Sequence, residues 1–155
     1  MSQKQEDDKA RRDREFGELL QELRVAITGV QVLFAFLLTV PFTQRYESLS
    51  EPQRRVYFAA VLTAATASLL LIAPAANHRL LFREGLKEAM LRAANKVAIA
   101  GLTMLALGIG LSLYLVTTVV FTTSMAIFVA VVVGLLTVFV WFVFPRLLKE
   151  DERRD

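Results

Sequence analysis

Charged residues in this chain do not alternate with apolar ones; they are swept into a few blocks. Between the blocks lie four long apolar runs, numbered 25–43, 56–76, 97–118 and 125–144, and none contains Asp, Glu, Lys or Arg. About 20 apolar residues are needed to cross roughly 30 Å of hydrocarbon at about 1.5 Å per helical residue. Each run reaches about that length, so the pattern predicts four transmembrane helices joined as two hairpins. The expected fold is all-α: an integral membrane four-helix bundle spanning 25–144, between a segment 1–24 and a charged tail 145–155.

Met1–Arg14 is polar and mixed in charge, without the apolar core of a signal peptide, and is expected to remain attached as a frayed cytosolic tail. From Glu15 the period changes. Phe16, Leu19, Leu20 and Leu23 recur at i, i+3, i+4 and i+7, with Glu15, Glu18, Gln21 and Glu22 between them. That is an amphipathic juxtamembrane helix running into the first span, its apolar stripe free to lie among headgroups or to pack on the central connector.

The first outer connector, Gln44 to Arg55, holds Ser50-Glu51-Pro52-Gln53, a capping-box pattern with proline in the first turn. The second span is therefore expected to start near Pro52. Ala60, Ala64 and Ser68 set small residues at four-residue spacing, which lets helix backbones approach closely in lipid. Pro74 removes a backbone donor and is expected to bend that helix. The central connector, Asn77 to Lys96, carries an apolar stripe of Phe82, Leu86, Ala89, Met90 and Ala93, so it predicts either a short surface helix or an early start of the third span. Glu88 and Arg92 form an i, i+4 pair in the favourable order. Val119 to Ser124 is the second turn, and Pro145 closes the last span.

Composition supports this reading. The chain is 55% hydrophobic with mean hydropathy +0.47, and segregation of its charges is what separates it from a soluble domain of similar content. There is no cysteine, which excludes disulfides, thiolate metal sites and cysteine nucleophiles. Net charge is only +3, too small to point to nucleic acid. Its distribution says more: of eighteen basic residues, fifteen fall on the side of the two ends and the central connector. The positive-inside rule makes that side cytoplasmic and the membrane the cell membrane. Tyr46, Tyr57 and Tyr114 fall near the outer boundary and Trp141 near the inner one, as interfacial aromatics do.

Three stretches, GELLQELRVAITGVQVLFAFLL (Gly17–Leu38), PFTQR (Pro41–Arg45) and LIAPAANHRLLFR (Leu71–Arg83), resemble a family of small, uncharacterised four-span membrane proteins common in actinobacteria. The resemblance covers the first two spans and the connector, and it implies the four-helix topology. Members are sometimes loosely labelled sodium–proton antiporters. Such exchange normally uses ionisable groups inside the membrane, and the four runs here have none.

Few side chains offer chemistry. Gln31 is the most polar residue deep in a span; it either hydrogen-bonds to a neighbouring helix or forms a polar path with Thr28. Asn77, His78 and Arg79 gather at the cytoplasmic end of the second span, where an imidazole either senses pH or makes a helix-end contact. Arg79, Arg83, Lys87, Arg92 and Lys96 suit anionic lipid headgroups, at about 1 kcal/mol per basic residue. One histidine without cysteine supplies no metal site, and neither a Ser–His–Asp set nor a phosphate loop is present. The chain is thus expected to be no enzyme, to need no cofactor, and to act as an oligomeric or accessory membrane component. A small ion or proton channel formed by an oligomer, lined by Thr28, Gln31, Thr63 and Thr66, is the alternative.

The absence of native cysteine makes the topology directly readable. With an impermeant maleimide on intact cells, Ser48→Cys is expected to label, whereas Ser2→Cys and Glu152→Cys label only after the membrane is opened.

Overall fold

The computed structural model describes residues 3–81, 87–144 and 146–147; side chains at 3–10, 12, 13, 78–81, 87–90 and 142 lie outside that description. Among the described residues the architecture is all-α, a helical bundle. Its elements are α1 (Gln3–Thr39), a 3-10 turn (Val40–Phe42), α2 (Gln44–Glu47), α3 (Glu51–Leu81), α4 (Lys87–Val120), α5 (Thr123–Val138) and a π-helical turn (Phe139–Val143). Four helical segments are long and apolar enough to cross a membrane: Arg14–Phe42, Glu51–Asn77, Leu91–Val120 and Thr123–Trp141.

The helices overrun the apolar stretches at their charged ends. α1 is one continuous rod of 37 residues, about 55 Å at 1.5 Å per residue. The amphipathic segment is therefore the start of α1, not a separate helix. The expected frayed tail is also helical from Gln3. Propagating an existing helix costs far less than nucleating one, and Arg11 Nε reaches Glu15 Oε1 at 2.8 Å, one helical turn away. Leu23 of the apolar stripe is buried and Phe16, Leu19 and Leu20 are half-buried.

α1 ends where its chemistry requires. Pro41 has no amide hydrogen to continue the ladder, and the backbone tightens there into the 3-10 turn. Thr43 closes that turn, its N–H and Oγ1 both donating to the Val40 carbonyl at 3.0 and 2.7 Å. The connector that follows is shorter than expected because α2 occupies part of it. α3 then starts at Glu51, beside Pro52. Half of the capping box forms: the Ser50 N–H and Oγ both donate to Gln53 Oε1, at 2.9 and 3.1 Å.

α3 runs through Pro74, whose side chain is fully buried, and on to Leu81. Of the two expectations for the central connector, the early start holds, since α4 begins at Lys87 and continues without interruption to Val120. The stripe residues Phe82 and Leu86 fall outside the described residues, as do the side chains of Ala89, Met90 and Glu88. The second turn contracts to Phe121 and Thr122. Thr122 caps α5, its side chain accepting from the Met125 N–H at 3.4 Å while its carbonyl accepts from Ala126. The π-helical turn was not foreseen; in it the Phe144 N–H donates to the Phe139 carbonyl. Pro145 is outside the described residues.

The chain divides into two compact units. The first comprises Met1–Phe36 and Thr63–Leu105 and buries Leu23, Val30, Ala64, Ala67, Leu71, Ala94 and Ala98. The alanines come from the small-residue stripe of α3 and its counterpart on α4. The approach is close at Gly101. A Cβ built there would lie 2.8 Å from Leu71 Cγ and 3.2 Å from Leu70 Cβ, and Leu71 is fully buried, with little room to yield. The second unit comprises Leu37–Leu62 and Ala106–Asp155 and buries Leu37, Leu49, Tyr57, Ala60, Leu115 and Ala126.

Gly101→Ala is expected to lower stability by about 1–3 kcal/mol through overpacking, outweighing up to about 1 kcal/mol of gained helix propensity. Gly110→Ala meets nothing within 4 Å and should keep the propensity gain alone. Unfolding of the two variants in detergent micelles reads the difference.

Candidate functional site

Thr28 and Gln31 lie on the open side of α1. Thr28 is exposed, and its hydroxyl donates to the Arg24 carbonyl at 3.0 Å, so its hydrogen-bonding demand is met within its own helix. Gln31 is exposed as well, and no hydrogen bond joins its carboxamide to another described residue. On α3, Thr66 is exposed and Thr63 half-buried. Asn77 is exposed near the end of α3. The side chains of His78, Arg79 and Lys87 are outside the description, and Arg83 lies outside the described residues altogether. Arg92 and Lys96 are exposed on α4.

The densest polar arrangement is in the second unit, around residues that sequence reasoning treated as boundary markers. Tyr57 is 6% exposed, and its hydroxyl donates to the Leu37 carbonyl at 2.9 Å. That carbonyl is one the helix cannot satisfy in the usual way. Its i+4 donor would be the amide of residue 41, which is proline. Tyr57 thus supplies from α3 the hydrogen bond that Pro41 withholds from α1. Tyr46 of α2 packs edge-on against the Tyr57 ring at 5.6 Å between centroids. Arg54 lies 5.5 Å over the Tyr46 ring, and its Nη2 donates to the Glu47 carbonyl at 3.2 Å. Its Nε is buried without a partner. Gln53, engaged by Ser50 through its oxygen, donates through Nε2 to Thr118 Oγ1 at 3.3 Å and so ties the cap of α3 to α4.

Two grooves lie elsewhere on the described surface. In the first unit, Glu15, Glu18, Leu19 and Glu22 of α1 face Leu91, Arg92 and Asn95 of α4 across a cavity of about 310 Å³. The three carboxylates form one wall and Arg92 stands opposite. In the second unit, Val40, Leu49, Leu115, Val116, Val119 and Val120 line an apolar groove of about 220 Å³ with Thr43, Arg45 and Tyr46 also on its wall. Thr28, Gln31, Thr63 and Thr66 contribute to neither.

The sequence signature of one protein family matches residues 5–145, nearly the whole chain. The chain belongs to a family of unknown function, DUF6328. The match extends well beyond the three stretches that carried the resemblance, into the apolar third and fourth runs. No curated protein and no solved structure matches this DUF6328 chain.

In this DUF6328 protein the Tyr57–Leu37 contact had a readable signal: a proline four residues after Leu37 guarantees a carbonyl short of its donor. What could not be read was which side chain would reach it. The acidic groove had a weaker signal, Glu15, Glu18 and Glu22 recurring at i, i+3 and i+7 alongside the apolar stripe.

Tyr57→Phe removes one hydrogen bond from a buried acceptor and is expected to cost about 0.5–1.5 kcal/mol of stability. Tyr46→Phe keeps the ring contact and should cost less. Comparing the unfolding midpoints of the two variants checks the assignment.

Proposed function

We propose that this DUF6328 protein is a non-enzymatic, multi-pass component of the cell membrane that acts through assembly, with itself or with another membrane protein. Both termini lie in the cytoplasm in this reading, with segments 1–24 and 145–155 flanking four spans, at 25–43, 56–76, 97–118 and 125–144. Arg79, Arg83, Lys87, Arg92 and Lys96 face anionic headgroups on that side, and nucleic acid has no part in it.

One observation carries the proposal. Among the described residues no charged or amide side chain is buried as a whole, and the buried Tyr57 hydroxyl is spent on the Leu37 carbonyl. A route for ions within one chain would need polar groups facing inward, because ionisable and polar residues in a membrane protein line the interior path when they transport. Here Thr28, Gln31 and Thr66 face outward, where only lipid or another protein can meet them. The same observation is compatible with one form of transport, a pore between copies lined by Thr28, Gln31, Thr63 and Thr66.

Two measurements separate these readings. Native mass spectrometry of the detergent-extracted protein is expected to show an oligomer or a co-purifying membrane partner; monomers alone would overturn the assembly reading. Liposomes carrying the purified protein are expected to show no sodium or proton flux, and a flux abolished by Gln31→Leu would instead establish the pore.

A further inference from the structure

We infer that the exposed face of α1 carrying Thr28, Gln31 and Ala35 is the surface on which a second copy of this chain docks, joined by the two Gln31 carboxamides. This deepens the assembly reading above and rests on it. Arg24, Thr28, Gln31 and Ala35 follow one another at spacings of four, three and four residues, and all are exposed. That spacing is the 3.5-residue period of a left-handed helix–helix seam. Beside it Gly29 is exposed, with nothing within 4 Å of where its Cβ would be, so no side chain at that point holds a partner helix away.

Gln31 decides the occupant. It sits seven residues beyond Arg24, about 10 Å deeper along the helix, too far for a glutamine side chain to reach the headgroup layer. Its carboxamide offers two N–H donors and one carbonyl acceptor, and within the chain it makes no hydrogen bond to a described residue. Lipid tails cannot satisfy it. A second copy inserted in the same orientation presents the same group at the same depth. A two-fold axis along the membrane normal places the two carboxamides opposite each other, donor to acceptor, without any further requirement. Thr28, already bonded to the Arg24 carbonyl, and Ala35 are small enough to let the seam close around that pair. Arg24 falls at the cytoplasmic boundary, where phosphates and water separate the like charges.

The cysteine-free chain allows a clean test. Single variants Thr28→Cys, Gln31→Cys and Ala35→Cys are expected to form disulfide-linked dimers on oxidation in native membranes, whereas Leu69→Cys, on the exposed side of α3, does not. In lipid vesicles Gln31→Leu is expected to weaken dimerisation about 3- to 30-fold, the range of an interhelical polar contact in a membrane, and Gln31→Asn to retain most of it. Gln31 is exposed and makes no hydrogen bond to a described residue, so an unchanged unfolding midpoint for Gln31→Leu separates lost association from lost structure. Equal cross-linking at Leu69→Cys, or none on the seam, overturns the interface. An oligomer that persists undiminished in Gln31→Leu overturns it while leaving assembly through another face intact. A strictly monomeric wild type with no co-purifying protein removes both.

Discussion

Four helices long and apolar enough to cross a membrane make backbone hydrogen bonding without water the constraint to consider first. In hydrocarbon each amide and carbonyl left without a partner costs several kcal/mol, so uncharged runs of this length fold as helices or do not cross at all. The instructive places are where the ladder is interrupted. At Pro41 the chain loses a donor, and three local devices absorb the loss: a 3-10 turn, a threonine that closes it, and the Tyr57 hydroxyl brought in from α3. The second turn uses Thr122 in the same spirit, with no charged residue available to cap α5. Ser68, Thr103, Ser112, Thr117 and Thr137 each return their hydroxyl to a carbonyl four residues earlier, so these side chains ask nothing of their surroundings. Gln31 stands apart because its carboxamide makes no such bond to a described residue.

Much of the architecture was legible because it depends on few, strong signals. Charge segregation located the four runs, Pro52 and Ser50 located the start of α3, and the Ala60–Ala64 spacing named buried positions before any coordinate did. What the sequence obscured has physical causes. The N-terminal segment looked like a frayed tail because its composition is that of solvated chain, yet a helix already nucleated downstream extends through it. The central connector was read as a short surface helix or an early start of the third span; the early start holds, and α3 also extends into the connector to Leu81, because Arg, Lys, Glu and Ala are good helix formers irrespective of the solvent around them. The π-helical turn in Phe139–Val143 has no local sequence marker among its apolar neighbours.

The candidate sites divide along the same line. Gln31 and Thr28 were identifiable by depth and polarity alone, since these properties need no knowledge of neighbours. Whether their side chains face inward or outward is a rotational fact, and the four-residue and three-residue steps of α1 fix it only once Leu23, Val30 and Leu37 are known to be the buried edge. Tyr57 was read only as a ring near the outer boundary; that it is also a buried donor could not be read, because this role depends on a carbonyl twenty residues earlier. The acidic groove formed by Glu15, Glu18 and Glu22 needed α4 to begin ten residues before its apolar run.

α5 holds the least of its neighbours: only Ala126 is fully buried in it, and 6% of its most apolar window lies inside the fold. In water so much apolar surface would force the helix inward. In a bilayer, exchanging a leucine neighbour for an acyl chain is nearly neutral. The fourth helix is therefore leashed rather than clamped, tied by a two-residue turn and one threonine cap. A visiting helix that covers its open flank displaces acyl chains at nearly neutral cost.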